Sequence, residues 1–258
     1  ARIQFGKTYQ QMHKRLASLG EEKEQLQELL RLREELEAMV VHDLRNPLNT
    51  IMMVLSLLER MKDQVNDPEG FMHLSKLAGG AAQRMNQLIA TLLDIARLEA
   101  GKLVLNIKEF DLSTLLANVI EMEQPMAKGD VKIVHQILPG LMVKADRDVL
   151  GRVIANLLEN ALKFAPPSSK IEITAQLLDH QAVCINVTDA GPGVPPEERE
   201  RIFEKFTQVK DVAHEKRGGT GLGLTFCRMA VEAHGGSIQV DAGPAGAGSC
   251  FSLQIPQE

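Results

Sequence analysis

Apolar residues after position 40 recur at steps of three and four, which is the spacing of one helical face. The members of this stripe are Leu44, Leu48, Ile51, Leu55 and Leu58. The spacing predicts a helix that runs to about Lys62 and buries the stripe. Pro47 lies inside the pattern. Because proline removes a backbone donor and crowds the preceding turn, we expect the helix to bend there.

A second helix is predicted from about Phe71 to Glu99, with Gly101 as its terminator. Its apolar positions again have helical spacing: Leu74, Leu77, Met85, Leu88, Leu92, Ile95 and Leu98. Residues 63–70, between the two helices, are rich in Asp, Asn, Pro and Gly and predict a loop. Two antiparallel helices leave one apolar face uncovered, and two copies would bury it in a four-helix bundle. The pattern therefore predicts a homodimer.

The segment before the first helix is dominated by Glu, Gln, Lys, Arg and Leu, which are strong helix formers. Its apolar positions alternate steps of three and four, as a coiled-coil seam does: Leu29, Leu32, Leu36 and Met39. A single amphipathic helix packed on its own domain would give a similar pattern. We favour a two-stranded parallel coiled coil because the apolar stripe is narrow. Arg33 interrupts one possible register of the seam.

The second half of the chain mixes strand and helix patterns. Helices are predicted over residues 112–128 and 146–164 and after the glycines near 223, with Asp111 or Ser113 able to cap the first. Short alternating or β-branched runs predict strands over residues 131–135, 142–145, 171–177, 183–188, 237–241 and 249–255. The order predicts an α/β sandwich, in which a mixed sheet carries helices on one face.

Composition narrows the class of protein. Hydrophobic residues make up 44% of the 258 residues, which fits a globular chain, and the net charge of −5 gives no basic footprint for nucleic acid. The widely spaced Cys184, Cys227 and Cys250 form no metal-binding pair and predict small buried side chains in a reducing cytoplasm. No apolar run reaches the roughly 18 residues of a membrane span. Because the chain opens at Ala1, we expect a fragment whose upstream sensor or membrane part is missing.

His42 lies outside the apolar stripe of the first predicted helix, so we expect it to face outward. The neighbouring Asp43 can orient the imidazole ring and raise its basicity. Taken alone, this pair also fits an ordinary surface histidine on a kinked helix.

Three polar residues in the second half have helical spacing, because Asn156, Asn160 and Lys163 occupy positions i, i+4 and i+7. Amide oxygens are suitable ligands for Mg²⁺, and a lysine supplies a point charge for phosphate. An exposed face rich in asparagine is the alternative interpretation, and the motif is weak by itself.

Two glycine-containing stretches follow. Asp189, with Gly191 and Gly193, comes directly after a strand; the glycines allow the backbone to approach a planar ligand, and the carboxylate can accept from an exocyclic amine. A tight turn would explain this stretch equally well. Residues 218–224 then form a glycine-rich loop that opens a helix, where free backbone amides favour an anion. This loop lacks the Gly-Lys-Ser/Thr of a P-loop and does not follow the first strand of a βαβ unit.

Residues 42–48 resemble the H-box of bacterial sensor histidine kinases, His-Glu/Asp-Leu-Arg-x-Pro-Leu, at every position. The later stretches, with residues 202–206, resemble in order the N, G1, F and G2 boxes of the ATP-binding domain of these kinases. The resemblance covers roughly residues 36–258. It implies that His42 accepts a phosphoryl group, that Asp43 is its general base, and that Asn46 positions water when the phosphohistidine is hydrolysed. Arg45 belongs to the same catalytic box.

For the nucleotide, the resemblance implies that Asn160, helped by Asn156, holds Mg²⁺ and that Lys163 meets phosphate. It also implies that Asp189 reads the adenine amine and that residues 207–218 form an ATP lid. The remaining expected ATP-binding residues flank the base or line the two glycine loops: Phe164, Gly191, Gly193, Phe206, Gly219, Thr220, Gly221, Leu222 and Gly223.

The resemblance thus implies a protein-histidine kinase that phosphorylates His42 with Mg-ATP. It would pass the phosphoryl group to an aspartate on the receiver domain of a separate response regulator and act as a phosphatase toward that regulator. We expect a cytoplasmic portion of a longer, possibly membrane-anchored protein, divided as a coiled-coil signalling helix (1–35), a dimerisation and phosphotransfer domain (36–101), a linker (102–111) and an ATP-binding domain (112–258).

Two alternatives are weighed against this interpretation. A gyrase- or chaperone-type ATPase clamp would share the nucleotide motifs, but the H-box is present and no transducer domain follows. A coiled-coil scaffold with a degenerate ATP site would not need Asn160, Asp189 and the glycine loop intact. ATP binding without phosphorylation would favour the scaffold.

Overall fold

The computed structural model describes most of the chain in six segments and three single residues. These are residues 38–59, 68–127, 129–137, 139–178, 181–207 and 220–257, with Arg15, Lys23 and Gln27. The predicted coiled coil over residues 1–35 therefore lies almost wholly outside the described residues. The chain divides into two compact units with the boundary between Met85 and Asn86.

The first unit contains helix α1 (38–59) and the first part of helix α2 (Pro68–Glu99). The helix continues through Pro47. Val54 on α1 and Ala81 on α2 are fully buried. The α2 helix begins earlier than the predicted Phe71, because Pro68 and Glu69 suit the first helical turn.

The predicted burial of the whole apolar stripe of α1 is wrong for a single chain. Leu48 is 46% exposed and Leu55 is 50% exposed. Other large apolar side chains of the first unit are also exposed: Val41, Met52, Met53, Leu57, Phe71, Met72 and Leu77. Two helices provide only two layers, so part of their apolar surface needs a further layer to be buried.

A short connector joins α2 to the second unit. Helix α2 ends at Glu99, two residues before Gly101, which has φ +61°, and the Lys102 N–H donates to Arg97 O at 2.8 Å. Residues 102–107 have no regular structure. Strand β1 (Lys108–Asp111) then pairs antiparallel with β3 (Met142–Ala145) in a two-stranded sheet.

Helix α3 (Leu112–Glu123) follows β1 directly. Asp111 is its cap, because Oδ1 accepts from the Ser113 N–H at 2.8 Å. The predicted end of this helix at residue 128 is wrong. A 3₁₀ turn (Gln124–Met126) replaces the last part, because Pro125 has no N–H to continue the α-helical pattern.

A five-stranded mixed sheet forms the base of the second unit, in the order β2-β4-β5-β7-β6. Its strands are β2 (Lys132–Ile137), β4 (Lys170–Leu178), β5 (Ala182–Thr188), β6 (Ser237–Ala242) and β7 (Ser249–Pro256). β2 and β4 are parallel, with Ile133 opposite Ile171, and the other neighbours are antiparallel. The predicted α/β sandwich with a mixed sheet is confirmed.

Helices α4 (Arg147–Phe164) and α5 (Gly223–Ala233) supply the other layer of the core. Helix α4 buries one face: Leu150, Val153, Ile154, Leu157, Leu158 and Ala161. Phe226 and Cys227 of α5 are fully buried, and Cys184 in β5 is buried as predicted, whereas Cys250 is half-buried. Burial of the apolar face of α4 leaves its amide-bearing face on the other side.

The second half of α2 belongs to the second unit and contacts α4 through polar pairs. Gln87 Nε2 donates to Glu159 Oε1 at 3.0 Å, and Asp94 pairs with Arg152. Leu88 and Ile95 are almost completely buried. Within the described segments, no helix combines the length and the apolar character that crossing a membrane requires.

The half-buried Glu123 at the end of α3 generates a prediction about pH. Burial, and secondly the charge of Glu159, raise the pKa of Glu123 to about 7 from 4.5. The folded chain therefore binds this proton more tightly than the unfolded chain. The stability that the folded chain gains from this tighter proton binding is fully present below pH 4.5 and is lost as the pH rises through about 7.

We expect Glu123→Gln to raise the free energy of unfolding relative to wild type at pH 8 by roughly 1 kcal/mol, a value discounted for partial exposure, and to have little effect at pH 5. Urea unfolding at both pH values measures this difference, with Glu121→Gln, at an exposed position on the same helix, as the control. An equal effect of Glu123→Gln at both pH values would contradict the assignment.

Candidate functional site

His42 lies on α1 in the first unit, and its side chain is 69% exposed as predicted. Its Nδ1 is 3.2 Å from Asp43 Oδ1 and 3.4 Å from Asn46 Nδ2. A carboxylate only accepts hydrogen bonds, so the shorter contact, to Asp43, places the proton on Nδ1, and the amide nitrogen of Asn46, itself a donor, then makes no hydrogen bond to Nδ1. Nε2 has no partner among the described residues and carries the free electron pair. Arg45, one turn away, is exposed.

The predicted nucleotide residues lie in the second unit, and those on α4 share its partly exposed face. Asn156, Asn160 and Lys163 are all half-buried. The Lys163 Nζ lies 4.8 Å from the centre of the Phe164 ring. Glycine at 223 brings the next loop close, because a β-carbon there would lie 3.2 Å from Asn156 Oδ1.

Asp189 lies at the end of β5 and is only 6% exposed. Its Oδ1 accepts from the Gly191 N–H at 2.7 Å, and its own N–H donates to Ser249 O at 2.9 Å. Burial raises the pKa of Asp189, and the hydrogen bonds from Gly191 and Ser249 oppose this shift. A buried carboxylate with one oxygen engaged by Gly191 retains acceptor capacity for a further donor.

Backbone segments approach Asp189 so closely that only glycine fits. A β-carbon at Gly191 would lie 2.7 Å from Asp189 Oδ1 and 3.2 Å from Phe164 O. A β-carbon added at Gly248, which has φ +73°, would lie 1.9 Å from Asp189 O. A β-carbon added at Gly193 would lie 2.9 Å from Gly248 O. The G1 glycines therefore connect the end of β5 with the end of α4.

The second glycine loop is joined to the F-box residue Phe206. The Phe206 N–H donates to Gly221 O at 3.0 Å, and both residues have positive φ, +61° and +65°. Thr220 Oγ1 accepts from the N–H of Leu222, which is buried, and α5 begins at Gly223. The predicted residue Gly219 and most of the predicted lid, residues 208–218, lie outside the described residues.

The structure thus brings the α4 face, the G1 glycines and the second glycine loop close together, through the approaches of Gly191 to Phe164 and of Gly223 to Asn156. Sequence reasoning missed Gly248, whose only signal is a glycine directly before a strand. It also missed Arg152, which lies one turn before Asn156, pairs with Asp94 and stacks 4.4 Å from the centre of the Phe226 ring. The position of Arg152, four residues before Asn156 and so on the same helical face, could have indicated that the two side chains are close together.

The contact between Gly221 and Phe206 predicts the effect of a single methyl group. We expect Gly221→Ala to weaken binding of a fluorescent ATP analogue at least tenfold, because its β-carbon would lie 2.6 Å from Phe206 Cα and force the two backbones apart. Gly140→Ala is the matched control, since Gly140 has a similar φ of +77° with no atom within 4 Å of the added carbon. Gly140→Ala should cost only backbone strain, about 1–2 kcal/mol, and leave binding within twofold. Equal binding by both variants would contradict this account of the loop.

Two family models match the chain. The model described as "His Kinase A (phospho-acceptor) domain" matches residues 32–101, and that described as "Histidine kinase-, DNA gyrase B-, and HSP90-like ATPase" matches residues 145–258. The first match includes His42, and the second includes every predicted nucleotide residue.

Curated relatives resemble most of this chain. The adaptive-response sensory kinase SasA of Crocosphaera subtropica is 32% identical over 246 residues, which cover 92% of this chain and 63% of that protein. SasA of Thermosynechococcus vestitus is 33% identical over 248 residues, covering 93% and 64%. The chain therefore spans about three fifths of the length of these relatives.

Solved structures extend the likeness to the fold. The catalytic domain of histidine kinase ThkA is 30% identical with a TM-score of 0.53, and the match covers 59% of this chain and 99% of that domain. Histidine kinase ThkA in complex with response regulator protein TrrA gives 29% identity and a TM-score of 0.60, covering 90% of this chain and 64% of that one. With the phosphoacceptor motif on α1 and the nucleotide motifs assembled around α4, these matches show that the chain belongs to the histidine kinase family.

Proposed function

We propose that this chain is an ATP-dependent protein-histidine kinase that transfers the γ-phosphoryl group of ATP to His42. It then passes that group to an aspartate on the receiver domain of a response regulator. The observation that carries the proposal is the imidazole of His42, whose Nδ1 is held by Asp43 and whose Nε2 is free, on a chain that also assembles the nucleotide motifs. The two family matches, one for each part, support it.

In the proposed reaction, Nε2 of His42 attacks the γ-phosphorus in line. A nitrogen–phosphorus bond forms, and the bond from the γ-phosphorus to the bridging oxygen breaks, so that ADP leaves. Asp43 takes the Nδ1 proton as the ring gains positive charge, which keeps Nε2 nucleophilic through the transfer. The rest of the rate enhancement comes mostly from positioning of the reactants and neutralisation of phosphate charge. Arg45 contributes a positive charge next to the reacting histidine.

In the nucleotide site, we propose that Asp189 accepts from the adenine amine and that Phe164 and Phe206 flank the base. Gly191 and Gly193 allow the backbone of the G1 turn to approach the base. The residues of the second loop that bind phosphate oxygens are Gly219, Thr220, Gly221, Leu222 and Gly223, with Lys163 as the positive charge. The start of α5 at Gly223 supports this role, because unpaired N–H groups there favour anions.

We further propose that Asn160 and Asn156 hold Mg²⁺. Their amide oxygens are hard ligands of the type that Mg²⁺ accepts, and the ion would neutralise phosphate charge. No cluster of three or more His, Cys, Asp or Glu that could hold a metal exists among the described residues. Because Mg²⁺ in such sites is usually bound together with substrate phosphates, we expect it to bind together with ATP.

We propose that the chain works as a homodimer, with the exposed apolar residues of α1 and α2 buried in a four-helix bundle. The large apolar side chains left exposed in a single chain support this arrangement. The regulator would dock on that bundle near His42, and the ThkA complex shows that a relative binds a response regulator. We also propose a cytoplasmic location and the domain limits 1–35, 36–101, 102–111 and 112–258.

The proposal is tested by incubation with γ-labelled ATP and Mg²⁺. Wild type should acquire acid-labile, alkali-stable label, and His42→Gln should lose it completely because the nucleophile is gone. His73→Gln, at an exposed histidine on α2, is the control and should be labelled normally. Label retained in His42→Gln would show that another residue is the acceptor. If the wild type binds ATP but acquires no label, the kinase assignment is contradicted.

A second prediction concerns phosphatase activity toward the regulator. Asn46 lies on the same turn as His42, with its amide nitrogen 3.4 Å from Nδ1, where it can orient a water molecule. We expect Asn46→Ala to slow dephosphorylation of a receiver domain at least tenfold, measured with a receiver that accepts phosphoryl from this chain. Asn49→Ala, at another exposed position of α1, should leave the rate within twofold. Equal rates for the two variants would remove Asn46 from this role.

A further inference from the structure

Asp146 lies where three segments of the second unit meet. It ends β3 and precedes α4, and it contacts both the connector of residues 102–107 and the end of α5. None of these contacts touches the proposed nucleotide residues directly. Asp146 also belongs to none of the sequence motifs, so the proposed function gives it no role in ATP binding or phosphoryl transfer.

The carboxylate of Asp146 joins the connector to α4. Oδ1 accepts from the N–H groups of Asp148 and Val149, both at 3.1 Å, and so caps the helix. Oδ2 accepts from the Asn106 N–H at 2.9 Å. Burial raises the pKa of Asp146, but these three N–H donors outweigh it, so the pKa is lowered and the carboxylate stays charged.

The backbone N–H of Asp146 joins α4 to α5. It donates to His234 Nε2 at 3.0 Å, and His234 Nδ1 lies 2.7 Å from Ala230 O. A carbonyl only accepts, so Nδ1 carries the proton and Nε2 is the acceptor. Both ring nitrogens of this half-buried histidine at the end of α5 are thereby engaged.

The contact with His234 sets the position of α5 along α4. The eleven residues of α5 span about 16 Å, and the ten helical steps from Asp146 to Asn156 span about 15 Å. One end of α5 is tied to Asp146, and the other end, Gly223, lies against Asn156. A shift of α5 at its His234 end would therefore displace the glycine loop relative to the amide face of α4.

The contact with Asn106 restrains the connector. Only three residues lie between Lys102, which hydrogen-bonds to the end of α2, and Asn106, so their Cα atoms are at most about 14 Å apart. Helix α2 continues into the unit that contains His42. The contact also extends the β1–β3 ladder beyond the pair of Lys108 and Ala145. The alternative to a positioning role is therefore that the contact only stabilises this small sheet.

We propose that Asp146 is a positioning residue for phosphoryl transfer, which ties α5 to α4 through its N–H and ties the connector to α4 through its carboxylate. The first tie keeps the glycine loop against Asn156 for ATP binding. The second tie holds the connector, which leads to α2, against the start of α4. We expect its loss to slow phosphorylation of His42 without changing the affinity for ATP. This second role rests on the proposed kinase function; the first does not.

The tie to α5 is tested by two substitutions of His234 in the full chain. Glutamine can place an amide oxygen near the position of Nε2 and accept from the Asp146 N–H. Asparagine reaches only the position of Nδ1 and keeps the bond to Ala230 O. We expect His234→Asn to weaken binding of a fluorescent ATP analogue about fivefold, and His234→Gln to restore it to within twofold of wild type. Equal affinities for both variants in their folded state would overturn this role, whatever their melting temperatures.

The tie to the connector is tested by removing the hydrogen bond from either side. Asp146→Ser keeps an oxygen to cap α4 but cannot also reach Asn106, and Asn106→Pro removes the donor. Both should lower kcat for His42 labelling at least fivefold and leave affinity for the ATP analogue within twofold. Val104→Pro is the control, because Val104 is 91% exposed and its N–H donates to no described residue.

A merely structural contact would lower the melting temperature without this separation of kcat from ATP affinity. Equal kcat for Asn106→Pro and Val104→Pro would show that the contact only extends the ladder, and would overturn the second role. Absence of label in wild type would contradict the kinase proposal itself. The comparison of His234→Asn with His234→Gln would still decide whether Asp146 positions α5.

Discussion

The arrangement of the second unit depends on the burial of one face of α4. Leu150, Leu157 and Leu158 are at most 1% exposed, so the helix cannot rotate about its axis without exposing them. Burial of a leucine side chain is worth about 1.5–3 kcal/mol, which makes such a rotation costly. Asn156 and Asn160 are then held away from the buried face, and Asn156 lies against Gly223. The functional face of α4 is thus fixed by the apolar residues between its polar ones.

The glycines around this face allow backbone groups, in place of side chains, to approach the proposed nucleotide site. A β-carbon at Gly221 or Gly248 would lie 2.6 Å or less from a backbone atom, so these positions exclude larger residues, and one at Gly191 would displace the Asp189 carboxylate, 2.7 Å away. Close backbone approach brings N–H groups toward the ligand region, where they favour an anionic ligand without added charged side chains. The net charge of −5 is compatible with a nucleotide site for this reason.

Much of the fold could be predicted because local signals agree with the tertiary structure. The start of α4 follows from Asp146 as cap and an apolar face at helical spacing, and the strands follow from β-branched runs. The stripe of α1 is only partly buried within one chain, because periodicity shows which side of a helix is apolar and does not show whether its own chain or a second copy covers that side. The end of α3 was misjudged although Pro125 was visible. The pair of Asp94 and Arg152, 58 residues apart, and the positive φ of Phe206 depend on tertiary contacts that no local pattern encodes.

The central claim is that Asp43 holds the proton on Nδ1 of His42 and leaves Nε2 to take the phosphoryl group. Phosphorus NMR of the chain after reaction with ATP distinguishes the two phosphohistidine isomers. The account predicts a single phosphohistidine signal from the Nε2 isomer, absent in His42→Gln. A signal from the Nδ1 isomer, or one that persists in His42→Gln, would contradict it.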